Sequence, residues 1–308
     1  MAISVKDSSV WKTVENIFCK DGGVWKTVEA AFIKDGGVWK EFYSSVVSLW
    51  DDITTAVYSG DSFSIAAQES NIASFTFSPD GTKMFMVGLS TDRVYEYTLS
   101  TAFSISTASY TGNNFSVNAQ DSSPSGIAFN TNGTQMFISG TFSKKVHQYT
   151  LSTAFSISTA SYTGNNFSFA AQDTGPVSFV FNPAGTKMFM CGIESGTDKV
   201  YQYTLSTAFS IATASYTGKN FVSLPLSSNF IGIAFNTDGT KMFIANIGFT
   251  RVYEHVLSVP FDISTATYVS SVGVGDASGP TDIFFNTDGS KMFLLSRNND
   301  GVYEYISA

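Results

Sequence analysis

Short segments in which apolar and polar residues alternate dominate this chain. They are rich in Phe, Tyr, Val, Ser and Thr, and turn signals that contain Gly separate them. Such segments are typical of β-strands, because a strand places successive side chains on opposite faces. Heptads rich in Ala and Leu, which would indicate long helices, are absent from the sequence. The pattern therefore predicts an all-β protein.

The alternating pattern repeats with a period near 52 residues. Its anchor is the turn Pro79-Asp80-Gly81-Thr82, which Lys83-Met84-Phe85 follows. The turn glycine recurs at spacings of 52, 52, 54 and 50 residues, at Gly81, Gly133, Gly185, Gly239 and Gly289. A period of this length indicates that each unit is one supersecondary element of a repeat architecture.

Each unit contains four predicted strands. The first, such as Phe75–Phe77, is apolar on one face and small on the other. The second, such as Lys83–Gly88, is apolar on both faces, which is typical of a strand buried between neighbouring sheets. The third, Val94–Tyr97, alternates; the fourth, predicted at Ile105–Tyr110, is rich in Ser and Thr and suits a solvated edge. This gradation from buried to solvated predicts the blade of a β-propeller.

The two ends of the repeat region complement each other. The fifth unit stops after its third strand, Val302–Tyr305, while Ile53–Gly60, ahead of the first unit, matches the fourth-strand segment Ile105–Gly112. We therefore predict a five-bladed β-propeller over residues 51–308, closed by pairing of Thr54–Tyr58 with Val302–Tyr305. A ten-stranded sandwich is the alternative fold.

Residues 1–50 carry a separate repeat of 14 residues, in which Trp11, Trp25 and Trp39 are equally spaced. Asp-Gly-Gly between apolar flanks is a hairpin signal, since Gly tolerates a positive φ. We predict three short hairpins in a meander. So small a segment buries little surface by itself. It is therefore predicted to pack on a partner, on copies of itself or on the propeller.

Charge excludes one class of function. The net charge is −8, and residues 1–50 contribute nothing to it, with six Lys and six Asp or Glu. Residues 51–308 hold eleven Lys or Arg and nineteen Asp or Glu. Binding to nucleic acid needs clustered cations to neutralise phosphates. We therefore predict no nucleic-acid partner, and acidity that serves solubility.

The content of Cys and His argues against metal or redox chemistry. Cys19 and Cys191 lie in different repeat systems, where apolar or small residues replace them in sister units, and the only histidines are His147 and His255. We predict no disulfide, no metal site and no cofactor. The N-terminus has no apolar signal core and no run is long enough to cross a bilayer. We expect synthesis in the cytoplasm without membrane insertion.

Comparison of the five units separates scaffold from variable surface. The turn between the first two strands and the connection between the last two barely change, and a propeller places both on one face. The other connections differ, and binding residues are often found on such loops of a rigid scaffold. On this variable face we predict aromatic groups that stack on sugar rings and polar groups that bind a ligand: Phe142, Phe230, Phe249, Glu69, Asp121, Asp173 and Arg297. The alternative is that the aromatic residues pack into crossovers and the acids cap turns.

The acids permit a further interpretation. Glu69, Asp121 and Asp173 occupy equivalent positions and could form a ring that binds a cation. The last two crossovers lack a matching acid, at Ser227 and Ala277, although Asp276 is adjacent to Ala277. Turn capping is the favoured role.

Enzyme signatures are weak. Ser78–Phe85 resembles the aspartate box of sialidase propellers, which is a structural turn. Sialidases need three converging arginines, but Arg93 and Arg251 occupy a position that other units fill with Lys. A glycosidase would need acids that break the repeat pattern near the channel, and no nucleophile elbow is present. We predict that the chain is not an enzyme.

The repeat Asp-Gly-Thr-Lys-Met-Phe with Val-Tyr-Glu-Tyr-Thr-Leu-Ser-Thr-Ala-Phe resembles propeller repeats of marine bacteriophage structural proteins and some environmental bacterial proteins. It covers residues 53–308. The unit Val-Lys-Asp-Gly-Gly-Val-Trp-Lys looks like repeats near the ends of phage tail proteins and covers residues 5–43. The resemblance implies a virion protein, such as a tail fibre, a tail tip or a surface component.

The leading hypothesis is thus a phage virion protein made in the host cytoplasm. Residues 1–50 would attach to other virion proteins or form a homo-oligomer through Trp11, Trp25 and Trp39, unless these side chains form an internal core. The propeller would contact a host-surface glycan or protein. The alternatives are a purely structural virion component without a ligand and a carbohydrate-active propeller enzyme.

Overall fold

The computed structural model divides the chain into two units, Met1–Val47 and Ser48–Ala308. In the first unit it describes the backbone of six strands between residues 3 and 44. In the second it describes residues 48–193, 198–222 and 230–308, without the side chain of Phe230. The side chains of Trp11, Trp25 and Trp39, and the attachment role predicted for them, lie outside the described residues. No helix in the described ranges is long and apolar enough to span a membrane.

The first unit consists of three β-hairpins. Their strands are β1 (Ile3–Asp7), β2 (Val10–Val14), β3 (Phe18–Asp21), β4 (Val24–Thr27), β5 (Ala30–Asp35) and β6 (Val38–Ser44). Each hairpin begins its pairing at the repeated Asp–Val position, as in Asp7↔Val10 and Asp21↔Val24. The predicted hairpins are therefore present. The predicted meander is wrong for the described strands, since each hairpin forms its own two-stranded sheet.

The second unit forms five antiparallel sheets of four strands each. Its first strand, β7 (Ala56–Ser64), belongs to the last of these sheets. Blade 1 contains β8 (Ile72–Phe77), β9 (Lys83–Gly88), β10 (Arg93–Leu99) and β11 (Ala108–Ser116). Blade 2 contains β12 (Pro124–Phe129), β13 (Gln135–Gly140), β14 (Lys145–Leu151) and β15 (Ala160–Ser168). Blade 3 contains β16 (Pro176–Phe181), β17 (Lys187–Gly192), β18 (Lys199–Leu205) and β19 (Ala214–Phe221).

The last two blades repeat this order. Blade 4 contains β20 (Phe230–Phe235), β21 (Lys241–Asn246), β22 (Arg251–Leu257) and β23 (Ala266–Gly273). Blade 5 contains β24 (Pro280–Phe285), β25 (Lys291–Ser296) and β26 (Gly301–Ser307), and its fourth strand is β7 from the start of the unit. The second unit is therefore a five-bladed β-propeller, as predicted.

Closure joins the two ends of the propeller chain. Strand β26 pairs antiparallel with β7, so that Tyr305 faces Tyr58 and Val302 faces Phe63. Residues before β7 complete the same blade: the amide of Leu49 donates to the carbonyl of Gly289 at 2.9 Å. The predicted pairing between the chain ends is confirmed.

The core lies between neighbouring blades and uses one contact five times. A Phe from the second strand of each blade packs against a Phe on the first strand of the next, with ring centroids 4.5–4.8 Å apart. The pairs are Phe85–Phe129, Phe137–Phe181, Phe189–Phe235, Phe243–Phe285 and Phe293–Phe77. The last pair joins blade 5 to blade 1. Second strands are thus buried on both faces, which explains their continuous apolar sequence.

The fourth strands begin later than predicted. In blade 1, Ile105–Thr107 forms a 3₁₀ turn with a buried Ile105, and the strand runs over Ala108–Ser116. The chain bends here because Phe103 has a φ of +53° and its amide donates to the carbonyl of Gly81 at 3.0 Å. The ring of Phe103 lies where a side chain on Gly81 would be, so this turn requires Gly. The contact places the turn and the third-to-fourth-strand connection on one face, as predicted.

Candidate functional site

The variable loops lie together on the opposite face of the propeller. We call this the loop face. It comprises the connections between second and third strands and the crossovers between blades. In blade 1 the Glu69 carboxylate, which belongs to a crossover, accepts from the amide of Thr91 at 3.1 Å and from its hydroxyl at 2.7 Å. Crossover and loop are therefore held to each other.

The three predicted acids support these loops from within. Glu69, Asp121 and Asp173 are only 2%, 1% and 3% exposed. Asp121 accepts from the amides of Ser123 at 2.7 Å and Ser143 at 2.8 Å, and Asp173 accepts from the amide of Gly175 at 2.8 Å. Hydrogen bonds from backbone amides to a buried carboxylate fix a loop strongly, because the acceptor is charged. These acids cap the loops, and their contact with a ligand stays a prediction.

The loop face also carries two exposed aromatic side chains. Phe142, in blade 2, is 74% exposed and Phe249, in blade 4, is 59% exposed. Each lies in the connection between second and third strands, and the amide of Phe249 donates to Asn246 Oδ1 at 2.9 Å. The two rings lie on different blades and are not in contact. The side chain of Phe230 lies outside the described residues.

Arg297 joins blade 5 to the crossover before blade 1. Its Nε donates to Asn71 Oδ1 at 3.1 Å, and the amide of Asn71 donates to Glu69 at 2.8 Å. Arg297 is exposed. The other two arginines bond elsewhere, Arg93 to Asn114 and Arg251 to Ser271. The structure therefore links two of the predicted residues, Arg297 and Glu69, through Asn71, and does not bring the three arginines together.

The described residues contain no group of three or more His, Cys, Asp or Glu arranged to hold a metal ion. Cys191 is fully buried in β17, and burial raises the pKa of its thiol well above the ordinary value. Burial also lowers the pKa of His255 to about 4. Both groups are packed in the blades, so neither offers a reactive side chain at the loop face.

A second candidate site lies on the axis of the propeller. The first strands of the five blades surround a cavity of about 380 Å³. One ring of equivalent positions forms its base, as the strand registers show: Ser74, Gly126, Ser178, Gly232 and Asp282. The next ring forms its wall: Thr76, Ala128, Val180, Ala234 and Phe284. The cavity extends to the turns at Thr131 and Thr287, on the face opposite the loop face.

Asp282 is the one charged residue in the base ring. Its Oδ2 accepts from Ser74 Oγ at 2.5 Å and from the amide of Phe75 at 3.2 Å, and its Oδ1 accepts from the amide of Ile283 at 3.0 Å. Ser178 Oγ, on the third blade, lies 3.5 Å from Oδ1. Asp282 is 5% exposed, and burial raises the pKa of its carboxyl to about 6.

Gly232 in the base ring leaves room for the backbone of Asp282 on the next blade. A Cβ at Gly232 would lie 2.7 Å from the Cα of Asp282.

Sequence reasoning missed Asp282, although the signal was available. Its equivalents in the other units are Ser or Gly, so it is an acid that breaks the repeat pattern near the channel.

No protein-family model and no curated protein matches this chain. Among solved structures, a protein from Lactobacillus plantarum is similar at 12% identity and a TM-score of 0.48, over 94% of this chain and 76% of that one. A functionally unknown protein from Desulfotomaculum acetoxidans is similar at 13% identity and a TM-score of 0.47, over 73% of this chain and 62% of that one. A candidate 6-phosphogluconolactonase from Bacteroides uniformis is similar at 13% identity and a TM-score of 0.48, over 74% of this chain and 64% of that one. This chain spans less than two thirds of the latter two, and at these identities the likeness concerns fold alone.

Proposed function

We propose that this chain is a structural component of a bacteriophage particle whose propeller presents its loop face to a host-surface glycan or protein. The hairpins within residues 1–50 attach it to other particle proteins or to further copies of itself. The proposal rests on the sequence resemblance for the particle and on the loop face for the binding.

The observation that supports binding is the exposure of Phe142, 74%, on a loop that is fixed from beneath. An exposed aromatic ring is costly in water, and solvent-exposed aromatics on ordered loops are common at recognition surfaces. Asp121 holds the backbone of this loop through the amide of Ser143. A loop ordered before binding loses little conformational entropy when it meets its partner.

The polar groups around these rings suit a glycan. Arg297 is exposed and keeps further guanidinium donors beyond the one that bonds Asn71. Aromatic faces stack on the apolar faces of sugar rings, while such donors bind hydroxyl or carboxylate oxygens. A neutral or acidic bacterial surface polysaccharide is therefore the expected class of ligand.

To test ligand binding, the full chain is labelled with a fluorophore and applied to arrays of bacterial surface polysaccharides and to cells. The test variant is the double substitution Phe142→Ala with Phe249→Ala. The control is Val259→Ala, which removes a side chain of 50% exposure from the opposite face. We expect the double variant to lose about tenfold or more in affinity while the control binds as the parent does. Equal binding by all three proteins would show that the ligand does not use Phe142 and Phe249, and binding by none would favour a purely structural component.

Incorporation of the chain into a phage particle needs a separate experiment. Antibodies against the propeller are used to label purified particles from cultures that produce the chain. A chain that lacks residues 1–47 is then added back in competition with the full chain. We expect the full chain alone to be incorporated. Particles without the chain would contradict the virion assignment but not the ligand-binding result.

A further inference from the structure

We infer that the axial cavity is a binding site for a small molecule with a protonated amine, held by Asp282 at the base and by apolar contacts in the wall. This site faces away from the loop face and does not depend on the function proposed above.

The base provides acceptors for an ammonium group. The carboxylate of Asp282 lines the cavity and reaches across the axis, since it meets Ser74 from blade 1 and Ser178 from blade 3. The bond to Ser74 at 2.5 Å uses the hydroxyl hydrogen, and one lone pair of Ser74 Oγ accepts from the amide of Ile127 at 3.4 Å, so one lone pair of this oxygen is left as an acceptor. An ammonium has three donors and no acceptor. Four donors already approach the carboxylate, but the contact of Ser178 Oγ with Oδ1 is long, at 3.5 Å, so Oδ1 and the remaining lone pair of Ser74 Oγ are the acceptors that an ammonium would use.

Charge selects a cation over a neutral ligand. No Lys, Arg or His lines the cavity in the described chain. The groups that bond its carboxylate, two serine hydroxyls and two backbone amides, carry no charge. A buried carboxylate without a counter-charge is unfavourable, and an opposite charge within a few ångströms compensates it. An amine ligand supplies that charge.

The wall and the mouth determine the rest of the ligand. Val180 and Phe284 offer apolar surface in the wall of the same cavity. The Asn side chains at the mouth are engaged in their own turns; Asn130 Oδ1, for example, accepts from the amide of Gln135 at 2.9 Å. The cavity volume, about 380 Å³, falls at the lower end of the range for small-molecule pockets. A compact apolar body, such as a benzyl group, fits this description.

The probe is benzylamine, and benzyl alcohol is the matched neutral compound. Their binding to the full chain is measured by calorimetry and by ligand-observed NMR at about pH 8 and about pH 5. We expect benzylamine to bind at least about tenfold more tightly than benzyl alcohol at the higher pH. Affinity for the amine should fall at the lower pH, where the carboxyl takes up a proton, and affinity for the alcohol should not.

Three variants locate the site. Asp282→Asn keeps the shape, and Asp282→Ser installs the residue that blades 1 and 3 already carry, so at least one of them should fold. Asp276→Asn removes one charge from an exposed position on the loop face and is the control. We expect both Asp282 variants to lose about tenfold or more in affinity for benzylamine and the control to lose none. Equal affinities for the amine and the alcohol, no binding of either, or amine binding unchanged in both Asp282 variants would overturn the inference.

Discussion

Val57 and Ile306 are paired across the joint where the propeller chain meets itself. They are Cα partners on β7 and β26, and their side chains are 42% and 37% exposed. Non-covalent contacts hold this joint, since almost the whole propeller sequence separates Val57 from Ile306. The corresponding pair in blade 1, Thr98 and Ser109, belongs to two consecutive strands of the same sheet.

A disulfide at the joint should stabilise the propeller strongly. We expect Val57→Cys with Ile306→Cys to raise the free energy of unfolding by about 3 kcal/mol more than Thr98→Cys with Ser109→Cys, because the closed loop is far longer. The measurement is chemical unfolding of both variants under oxidising and reducing conditions. Equal stabilisation by the two disulfides would contradict this dependence on loop length.

Gly140 is required because Asp121 lies against it. A Cβ at Gly140 would lie 1.9 Å from the carboxyl carbon of Asp121. We expect Gly140→Ala to cost about 2 to 3 kcal/mol, because the carboxylate must leave its place beneath the loop. Gly275→Ala is the control, since a Cβ there meets nothing within 4 Å. Urea unfolding gives the cost, and hydrogen exchange at the amide of Ser143 reports the loop. Unchanged exchange would argue against the supporting role of Asp121.

Glu96 joins blade 1 to blade 2, and its hydrogen bond to a backbone amide of blade 2 matters more for this contact than its ion pair with Lys83. Its Oε2 accepts from the amide of Ile157 at 3.2 Å, and Lys83 Nζ, 3.1 Å from Oε1, also donates to the carbonyl of Phe155 at 2.7 Å. In blade 3, Gln202 accepts equivalently from the amide of Ile263 at 3.1 Å.

We therefore expect Glu96→Gln to cost less than about 1 kcal/mol and Glu96→Ala to cost about 2 kcal/mol or more, because only the second leaves the buried amide of Ile157 without an acceptor. Both costs are measured by urea unfolding. If the two variants lost the same stability, the ion pair with Lys83 would be the important interaction.

Asp282 should make the propeller less stable as pH rises. Its carboxyl pKa is about 6 in the folded chain and near 3.8 in the unfolded chain. Between these values the folded state keeps a proton that the unfolded state has lost, so stability falls with increasing pH by up to about 3 kcal/mol. We expect the stability of Asp282→Ser relative to the parent to increase by about that amount from pH 4 to pH 7. A constant difference across this range would contradict the raised pKa.

His255 changes the stability of the propeller with pH in the opposite direction to Asp282, over nearly the same pH range. Burial holds the pKa of its imidazole at about 4, against 6.5 in the unfolded chain. As pH falls through this window the unfolded state takes up a proton first, so the folded state loses up to about 3 kcal/mol.

His255→Tyr should remove that loss, because four blades carry Tyr at this position and Phe221 packs on the ring at a centroid distance of 5.0 Å. The measurement is urea unfolding of parent and variant from pH 4 to pH 7. A variant that loses as much stability at low pH as the parent would show that His255 is not the group responsible.

Much of the candidate site followed from the repeats alone. Because the five units are nearly alike, each difference between them is visible in the sequence, and the loop face with Phe142, Phe249 and Arg297 was predicted from such differences. The burial of Glu69, Asp121 and Asp173 was not, because an acid at a loop position caps a turn or faces solvent depending on which backbone amides surround it. The 3₁₀ turn at Ile105–Thr107 was also missed, since its alternating residues read equally well as strand.

The sequence by itself determined the number of blades, the order of their strands and the closure between Ile53–Gly60 and the last strand, because repetition and hydrophobic period are local properties of the chain. The tertiary structure alone decided which equivalent positions meet. Closing the ring brings five first strands around one axis, and this places Asp282 beside Ser74 and Ser178, far from it in sequence. The electrostatic environment of a side chain depends on such neighbours, so the chemistry of the axial cavity arises only when the ring is closed.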